Sequence, residues 1–312
     1  MNVLVTGGAG FIGSHVVDRL LASGHQVSIL DNLSTGREAN LLPNVPFFKM
    51  DIRDKDVHDL WKDKKFDAMM HLAAQMDVRK SVEDPSYDAD VNLRGLLNLL
   101  EAGRKSGLKK VVFASSGGAG YDDSVPFPTP ETVPARPVSP YGIAKIASEL
   151  YLNYYQVQYG IPFVALRLGN VYGPRQNPFG EAGVIAIFSN RLLKGEPAKI
   201  NGDGLQTRDY VFCKDVARAF ELGLNYDKVD TFNIGTAIET DVVTLFNLIR
   251  DGASSRQAPE HIEGKPGEVR RSCLDPKKAN DVLGWAPQVD IQSGIRETVD
   301  FFKRQLIDTS IR

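Results

Sequence analysis

Tyr141 and Lys145 stand four residues apart in a helix-like stretch, a spacing that puts both side chains on one face. A phenol of reference pKa ~10 is a poor base at neutral pH, and lowering it to ~7 takes about three units, or ~4 kcal/mol of preference for the phenolate. A lysine ammonium beside an oxidised nicotinamide would supply that preference. Taken alone, Tyr-x-x-x-Lys also describes the solvated face of an ordinary amphipathic helix. Two features stand ahead of it. Ala114-Ser-Ser-Gly-Gly118 ends a strand-like run with two small hydroxyl residues, Ser115 and Ser116, either of which could hydrogen-bond a substrate hydroxyl or simply form a turn. Thr6-Gly-Gly-Ala-Gly-Phe-Ile-Gly13 satisfies Gly-x-Gly-x-x-Gly from Gly8 and Gly-x-x-Gly-x-x-Gly from Gly7. Following a strand and opening a helix, it lets the backbone approach a pyrophosphate lying on the positive helix N-terminus. Asp31 closes the next strand about twenty residues on, where a carboxylate accepts from an adenosine ribose and repels a 2′-phosphate. NAD is therefore expected rather than NADP. A tight turn followed by a solvated Asp is the competing description, and the strand and helix on either side weigh against it.

The elements that must hold these groups repeat as strand, turn and helix. Strand-like runs cover Asn2–Thr6, Gln26–Leu30, Phe47–Met50, Ala68–Leu72, Lys110–Ser115 and Phe163–Leu168. Helical patterning falls between them at His15–Leu21, Val57–Trp61, Val91–Arg104 and Tyr141–Tyr159. This alternation predicts an α/β fold, a Rossmann-type doubly wound parallel sheet with helices on both faces. Ligands of such sheets lie outside the carboxyl ends of the strands, where Ser115 and Ser116 fall. Past Asn170 the rhythm changes to a Gly/Pro-rich loop, Tyr172–Gly183, a helix at Val184–Leu193, then short strands and loops. The expected division is residues 1–170 for the dinucleotide domain and 171–312 for a smaller α/β substrate lobe, with Thr231–Gly235 returning to the first sheet.

Composition narrows the class. The chain has 312 residues, enough for two lobes, and Lys+Arg 37 against Asp+Glu 39 leaves a net charge of −2, which speaks against a nucleic-acid or membrane footprint. Cys213 and Cys273 are the two cysteines, too few and too far apart for a disulfide framework or a metal site, and free thiols fit a reducing cytosol. The chain runs from Met1 straight into a strand, and nowhere do ~18 apolar residues run together, so a cytoplasmic small-molecule enzyme is expected.

Further segments carry a resemblance: His71-Leu-Ala-Ala-Gln75, Asn92-Leu-Arg-Gly95, Ser139-Pro-Tyr-Gly142, Arg167-Leu-Gly-Asn-Val-Tyr-Gly-Pro-Arg175 and Gly202-Asp-Gly-x-x-x-Arg-Asp-Tyr210. With the three motifs above, the chain resembles the extended short-chain dehydrogenase/reductase superfamily and, within it, the UDP-glucose 4-epimerase family, as far as Leu283-Gly-Trp285. The resemblance implies that Tyr141 takes the proton of the sugar 4-hydroxyl while the C4 hydride passes to NAD+. Ser116 is then the hydrogen-bonding partner and Lys145 holds the nicotinamide ribose. The 4-keto sugar rotates, the hydride returns to its other face, and NAD is retained. The cofactor lining implied comprises Gly7, Gly10, Phe11, Ile12, Gly13, Asp31, Asn32, Ser34, Thr35, Gly36, Asp51, Ile52, Leu72, Ala73, Ala74, Gln75, Asn92 and Ser115, together with Tyr141 and Lys145. Beside Ser116 and Tyr141, the UDP-sugar falls to Asn170, Arg208, Tyr210, Lys265, Glu268 and Ser272. Arg208 suits a forked grip on phosphate, whereas Lys265, where an Arg often stands, acts as a point charge. Gly120, Asp122 and Asn201 depart from the family pattern, the last at a place often aromatic and stacked on uracil. A homodimer joined through helices near Leu93–Arg104 and Tyr141–Tyr159 is also implied.

Related dehydratases carry an acidic residue directly after the catalytic Ser/Thr; Gly117 and Gly118 can do no acid chemistry, which favours epimerisation over elimination of water. Ser272 aligns with a gate beside the sugar, and its small size predicts tolerance of UDP-N-acetylhexosamines. Two alternatives stand beside this reading. One is 4-epimerisation of another UDP-sugar such as UDP-glucuronate, with Arg79 or Lys80 as the cation for its carboxylate. The other is a non-catalytic NAD-binding regulator, which has no need of Tyr141, Lys145 and Ser116 together.

Overall fold

The near-continuous apolar runs of the first half form strands buried on both faces, the pattern of a parallel sheet. The computed structural model describes residues 1–122, 124–179, 183–264 and 269–310. The chain runs through β1 (Asn2–Thr6), α1 (Phe11–Ala22), β2 (Gln26–Asp31), β3 (Phe47–Lys49), α2 (Val57–Lys64) and β4 (Ala68–His71). Two short helices follow, α3 (Val78–Glu83) and α4 (Pro85–Ala89), then a wide π turn over Asp90–Arg94 that leads into α5 (Gly95–Lys105). The first unit continues with β5 (Lys110–Ser116), α6 (Pro140–Tyr159) and β6 (Phe163–Leu168). Local signals set the helix ends. Pro140 opens α6, where the Ser139 hydroxyl accepts from the Gly142 amide at 3.2 Å, and Gly160 closes it at φ +69°.

The sheet has seven strands in the order β10-β6-β5-β4-β1-β2-β3, β10 being the later strand Asp230–Ile234. Every pairing in it is parallel. Strand order reverses between β1 and β4, so the connections leave in opposite directions and open a crevice beyond the carboxyl ends of those strands. One face is covered by a core containing Val16, Leu20, Phe220 and Trp285, the other by Trp61, Leu96, Leu100 and Tyr155. At about 1.5–3 kcal/mol for each fully buried side chain of this size, these cores outweigh the surface ion pairs as the source of cohesion.

The second half holds β7 (Asn170–Tyr172), α7 (Val184–Leu193), β8 (Lys199–Asn201), β9 (Thr207–Phe212), α8 (Cys213–Asn225), β10, β11 (Glu239–Asp241), α9 (Val242–Gly252), β12 (Glu260–Ile262), α10 (Lys277–Leu283) and α11 (Ile291–Ser310). A three-stranded sheet, β11-β9-β7, and the pair β12-β8 surround a third core containing Phe188, Phe212, Phe246 and Ile295. Helices α8, α9, α10 and α11 depart from the sequence expectation of short strands and loops after Leu193. Residues Cys213–Asn225 form an amphipathic helix packed on α1, and it feeds β10 into the first sheet beside β6. Trp285, fully buried, donates its indole N–H to the Asp215 carbonyl of that helix at 2.8 Å. Among the described residues no helix is long and apolar enough to cross a membrane.

Candidate active site

The glycine turn is built for close approach. Gly7 sits at φ +71°, and a Cβ there would lie 2.7 Å from the Ala73 nitrogen. A Cβ on Gly13 would lie 2.1 Å from the Gly7 carbonyl oxygen. The turn therefore tucks against the Leu72–Gln75 loop at the end of β4. α1 begins at Gly10 with no side-chain cap and no acidic residue in its first turn, leaving its amides and positive end open to an anion. Phe11 and Ile12 offer backbone amides to this site while their side chains pack on the second-lobe core and the first core respectively.

Asp31 closes β2 nearly buried; its carboxylate accepts from the Ala9 amide at 3.1 Å and the Leu33 amide at 2.8 Å. Burial raises its pKa and the two amides oppose that rise. A Cβ on Gly36 would lie 2.8 Å from its Oδ1, so the Asn32–Gly36 loop folds over the carboxylate. Asp51 is held by a two-pronged Arg53 contact, 2.8 Å on each side, and by Asn32 at 2.9 Å; the Arg53 hydrogen bonds pull it down to about 2. Ile52 is buried against Gly95. Asn92, on the π turn, accepts from the Gln75 amide at 2.9 Å and donates to the Gln75 carbonyl at 3.0 Å, which pins the Leu72–Gln75 loop. A glycine cradle that admits no Cβ, an open helix N-terminus and a carboxylate at the end of β2 fit an adenine dinucleotide.

Adjacent strand residues point to opposite faces, and this separates the two serines. Ser115 turns away, donating to Glu149 at 2.5 Å, and Glu149 is itself gripped by Arg167 at 3.0 and 2.7 Å. Arg167 also donates to the Tyr121 hydroxyl at 2.6 Å. This buried network lies two turns along α6 from Tyr141, so the Ser115 hydroxyl, expected to line the cofactor, spends its proton on Glu149 instead. Ser116 faces the other way, accepting from the Ala119 amide at 3.2 Å and hydrogen-bonding the Tyr141 phenol. Gly120, a departure from the family pattern, is required here, since its Cβ would lie 2.8 Å from the Ser116 carbonyl. Gly142 lets α6 close on the same loop, its Cβ position being 2.2 Å from the Ala119 carbonyl.

Tyr141 is half-buried, and burial together with the Asp88 charge pushes its phenol up to about 12, the Ser116 hydrogen bond working against them. Lys145 is nearly buried; it donates to the Ala114 carbonyl at 2.9 Å, and its ammonium lies 5.6 Å from the Tyr141 ring centre. Burial pushes Lys145 down to about 8, with Asp88 opposing. Beneath it, His71 is bonded to the Thr6 hydroxyl at 2.8 Å and pushed down to about 3 by burial and by Lys145, so it is neutral.

The second lobe supplies the outer wall. Asn170 lies beside Tyr210 in the parallel β7/β9 register, with Arg208 two residues before it. A Cβ on Gly118 would sit 3.8 Å from the Asn170 Oδ1 and 3.9 Å from the Ser272 hydroxyl, so these three positions meet two residues on from Ser116. The buried Asp209 carboxylate accepts from the amides of Thr236 (2.8 Å), Ala237 (3.3 Å) and Leu274 (3.1 Å), tying the Arg208–Tyr210 strand to the Ser272 segment. Lys265 and Glu268 lie outside the described residues, and Asn201 stands on β8, paired with Ile262. Sequence reading missed Asp88, Glu149, Arg167, Tyr121 and Asp209. Each acts through a contact distant in the chain, and only Arg167 and Asp209 fall within quoted motifs.

Residues 3–235 match the family described as NAD dependent epimerase/dehydratase. A UDP-glucose 4-epimerase of Mycolicibacterium smegmatis is 47% identical over 311 residues, 98% of this chain and 99% of that protein. The crystal structure of UDP-glucose 4-epimerase with UDP-glucose from Thermotoga maritima is 46% identical, with a TM-score of 0.96 over 98% of this chain and 100% of that one. The NAD complex of a UDP-glucose 4-epimerase from Thermus thermophilus is 48% identical, with a TM-score of 0.91 over 97% of this chain and 99% of that one.

Proposed function

The chain belongs to the NAD dependent epimerase/dehydratase family, and from that membership and the site geometry we propose that it is an NAD-dependent 4-epimerase of UDP-hexoses. The observation that carries the reading is the meeting of Ser116, Tyr141 and Lys145 at the carboxyl edge of the sheet, beside the glycine cradle. NAD, when bound, takes up the C4 hydride and returns it, so the reaction has no net redox change. Tyr141 accepts the proton of the sugar 4-hydroxyl at its phenol oxygen and later gives it back. Ser116 holds that phenol by a hydrogen bond and is placed to hold the reacting hydroxyl too. Lys145 supplies the nearby positive charge that makes the phenolate accessible. Gly117 and Gly118 put no acid next to Ser116, which disfavours dehydration. Asn170, Arg208 and Tyr210 would hold the UDP portion, with Lys265 and Glu268 as further candidates, while residues 1–170 mainly serve the dinucleotide.

Gly118 and Ser272 leave the sugar wall without a bulky side chain, so UDP-N-acetylhexosamines are included as substrates. The chain is assigned to a reducing cytosol on its two buried free thiols. A homodimer through α5 and α6 is supported by a stripe on α6 at heptad-like spacing, where Ile143, Leu150, Tyr154 and Val157 are 54, 68, 50 and 78% exposed. Light scattering checks this, and a monomer at assay concentration refutes it. Incubation with UDP-galactose, UDP-N-acetylglucosamine and UDP-glucuronate, with chromatographic separation of the products, tests the activity. Interconversion of UDP-galactose and UDP-glucose is expected, and Tyr141→Phe should keep NAD bound while nearly abolishing it. Absence of turnover by the NAD-loaded parent refutes the reading.

A further inference from the structure

Asp88, on α4, is 1% exposed. Its Oδ1 accepts from Gln75 Nε2 at 2.9 Å and from Asn92 Nδ2 at 3.0 Å, while among the described residues its Oδ2 has no hydrogen-bond partner. Burying a carboxylate with one oxygen unsatisfied is costly, and such a group calls for a reason. Among the described residues no cation hydrogen-bonds it; the charge it meets is farther off. α4 packs on α6, and the Asp88 carboxylate interacts electrostatically with both Tyr141 and Lys145. The titratable groups of this cluster come from three elements: Asp88 from α4, Tyr141 and Lys145 from α6, and His71 from β4. Ser116 and Phe113 of β5 complete its walls without charge. With His71 neutral, the cluster holds one cation, one anion and one phenol.

We propose that Asp88 is the buried counter-charge of the Tyr141–Lys145 pair, keeping Lys145 an ammonium and holding the Tyr141 phenol protonated in the resting enzyme. It touches neither reacting atom and is a positioning residue acting through that pair. The π turn contributes by turning Asn92 toward Asp88 and Gln75 at once, which locks the carboxylate to the loop at the end of β4. The proposal rests on the reading of Tyr141 and Lys145 as the acid–base pair.

Asp88→Asn tests it, because the amide oxygen can still accept from Gln75 and Asn92 while the charge is gone. Removing a negative charge makes both Lys145 and Tyr141 easier to deprotonate. Both limbs of the pH–rate profile for UDP-galactose should therefore move to lower pH, by about one unit, the low end of what a single nearby charge does. Ultraviolet titration of the Tyr141 phenolate in NAD-loaded protein, isolated by subtracting a Tyr141→Phe counterpart in the same background, should move the same way. Unmoved limbs and titration in a folded, NAD-bearing Asn variant overturn the proposal. A variant that loses NAD or unfolds does so too, since it makes Asp88 a structural residue. Should the parent not turn over UDP-galactose, the epimerase reading falls, while the phenolate titration still decides what Asp88 does.

Discussion

Replacing Lys145 with Met keeps the buried stem and removes the charge beside Tyr141. With burial holding the phenol at about 12, ionising it at pH 7 requires about five units, or ~7 kcal/mol. The Lys145 ammonium lies 5.6 Å from the Tyr141 ring centre, and at an effective dielectric of ~20 this separation is worth ~3 kcal/mol. That equals about two pH units, so Lys145 covers rather less than half of the requirement and the positive nicotinamide is left with the rest. The sign is fixed: loss of a cation raises the phenol pKa. Lys145→Met should therefore lower kcat for UDP-galactose about a hundredfold at pH 7, and it should move the acidic limb of the profile about two units toward alkali. Turnover is read by chromatography, with bound NAD measured on the same sample because Lys145 is also proposed to hold the nicotinamide ribose. A loss under threefold with NAD retained, or a loss confined to KM, would refute the electrostatic account.

The two neighbouring serines should separate cleanly. Ser116→Ala removes the hydrogen bond to Tyr141 and should lower kcat by ten- to a thousandfold, the range near that of one positioned donor in an active site. Ser115→Ala, which frees Glu149 of one of its partners, should lower thermal stability by about 1 kcal/mol and leave kcat within a few-fold; equal kinetic losses in the two variants would contradict the assignment. Gly13→Ala places a Cβ 2.1 Å from a backbone carbonyl that has no room to yield, and purified protein should carry no NAD by absorbance or extraction. Retention of NAD at parental level would show the turn to be more pliable than its geometry implies.

Sequence and structure agree where the relevant geometry is local. Strand, glycine turn and helix succeed one another in the chain as they do in space, so the cradle of Gly7, Gly10 and Gly13 could be read from spacing. Tyr141 and Lys145 were legible for the same reason, since four residues on a helix always share a face. β6 follows from the apolar run Phe163–Leu168, and the strand-like run Thr231–Gly235 meets β10 at Asp230–Ile234, beside β6 in the first sheet. Helices α8 to α11 did not follow, because the Gly/Pro-rich loop and short strands ahead of them set the expectation for the whole second half.

The chain by itself determined the fold class, the dinucleotide turn and the spacing of the phenol and the ammonium, because hydrophobic periodicity and helix pitch act within a few residues. Which serine serves the site was a tertiary decision. Alternation along β5 puts Ser115 and Ser116 on opposite faces, but only the packing of α6, which sets Tyr141 by Ser116 and Glu149, two turns further on, by Ser115, separates their roles. Asp88 is the stronger case. An isolated carboxylate in a five-residue helix carries no pattern, and its meaning arises when α4 is buried against α6 and water is excluded from around it. Burial sets the size of its effect, since a charge shielded from solvent acts on its neighbours through a dielectric far below that of water. Only the tertiary structure fixes that burial.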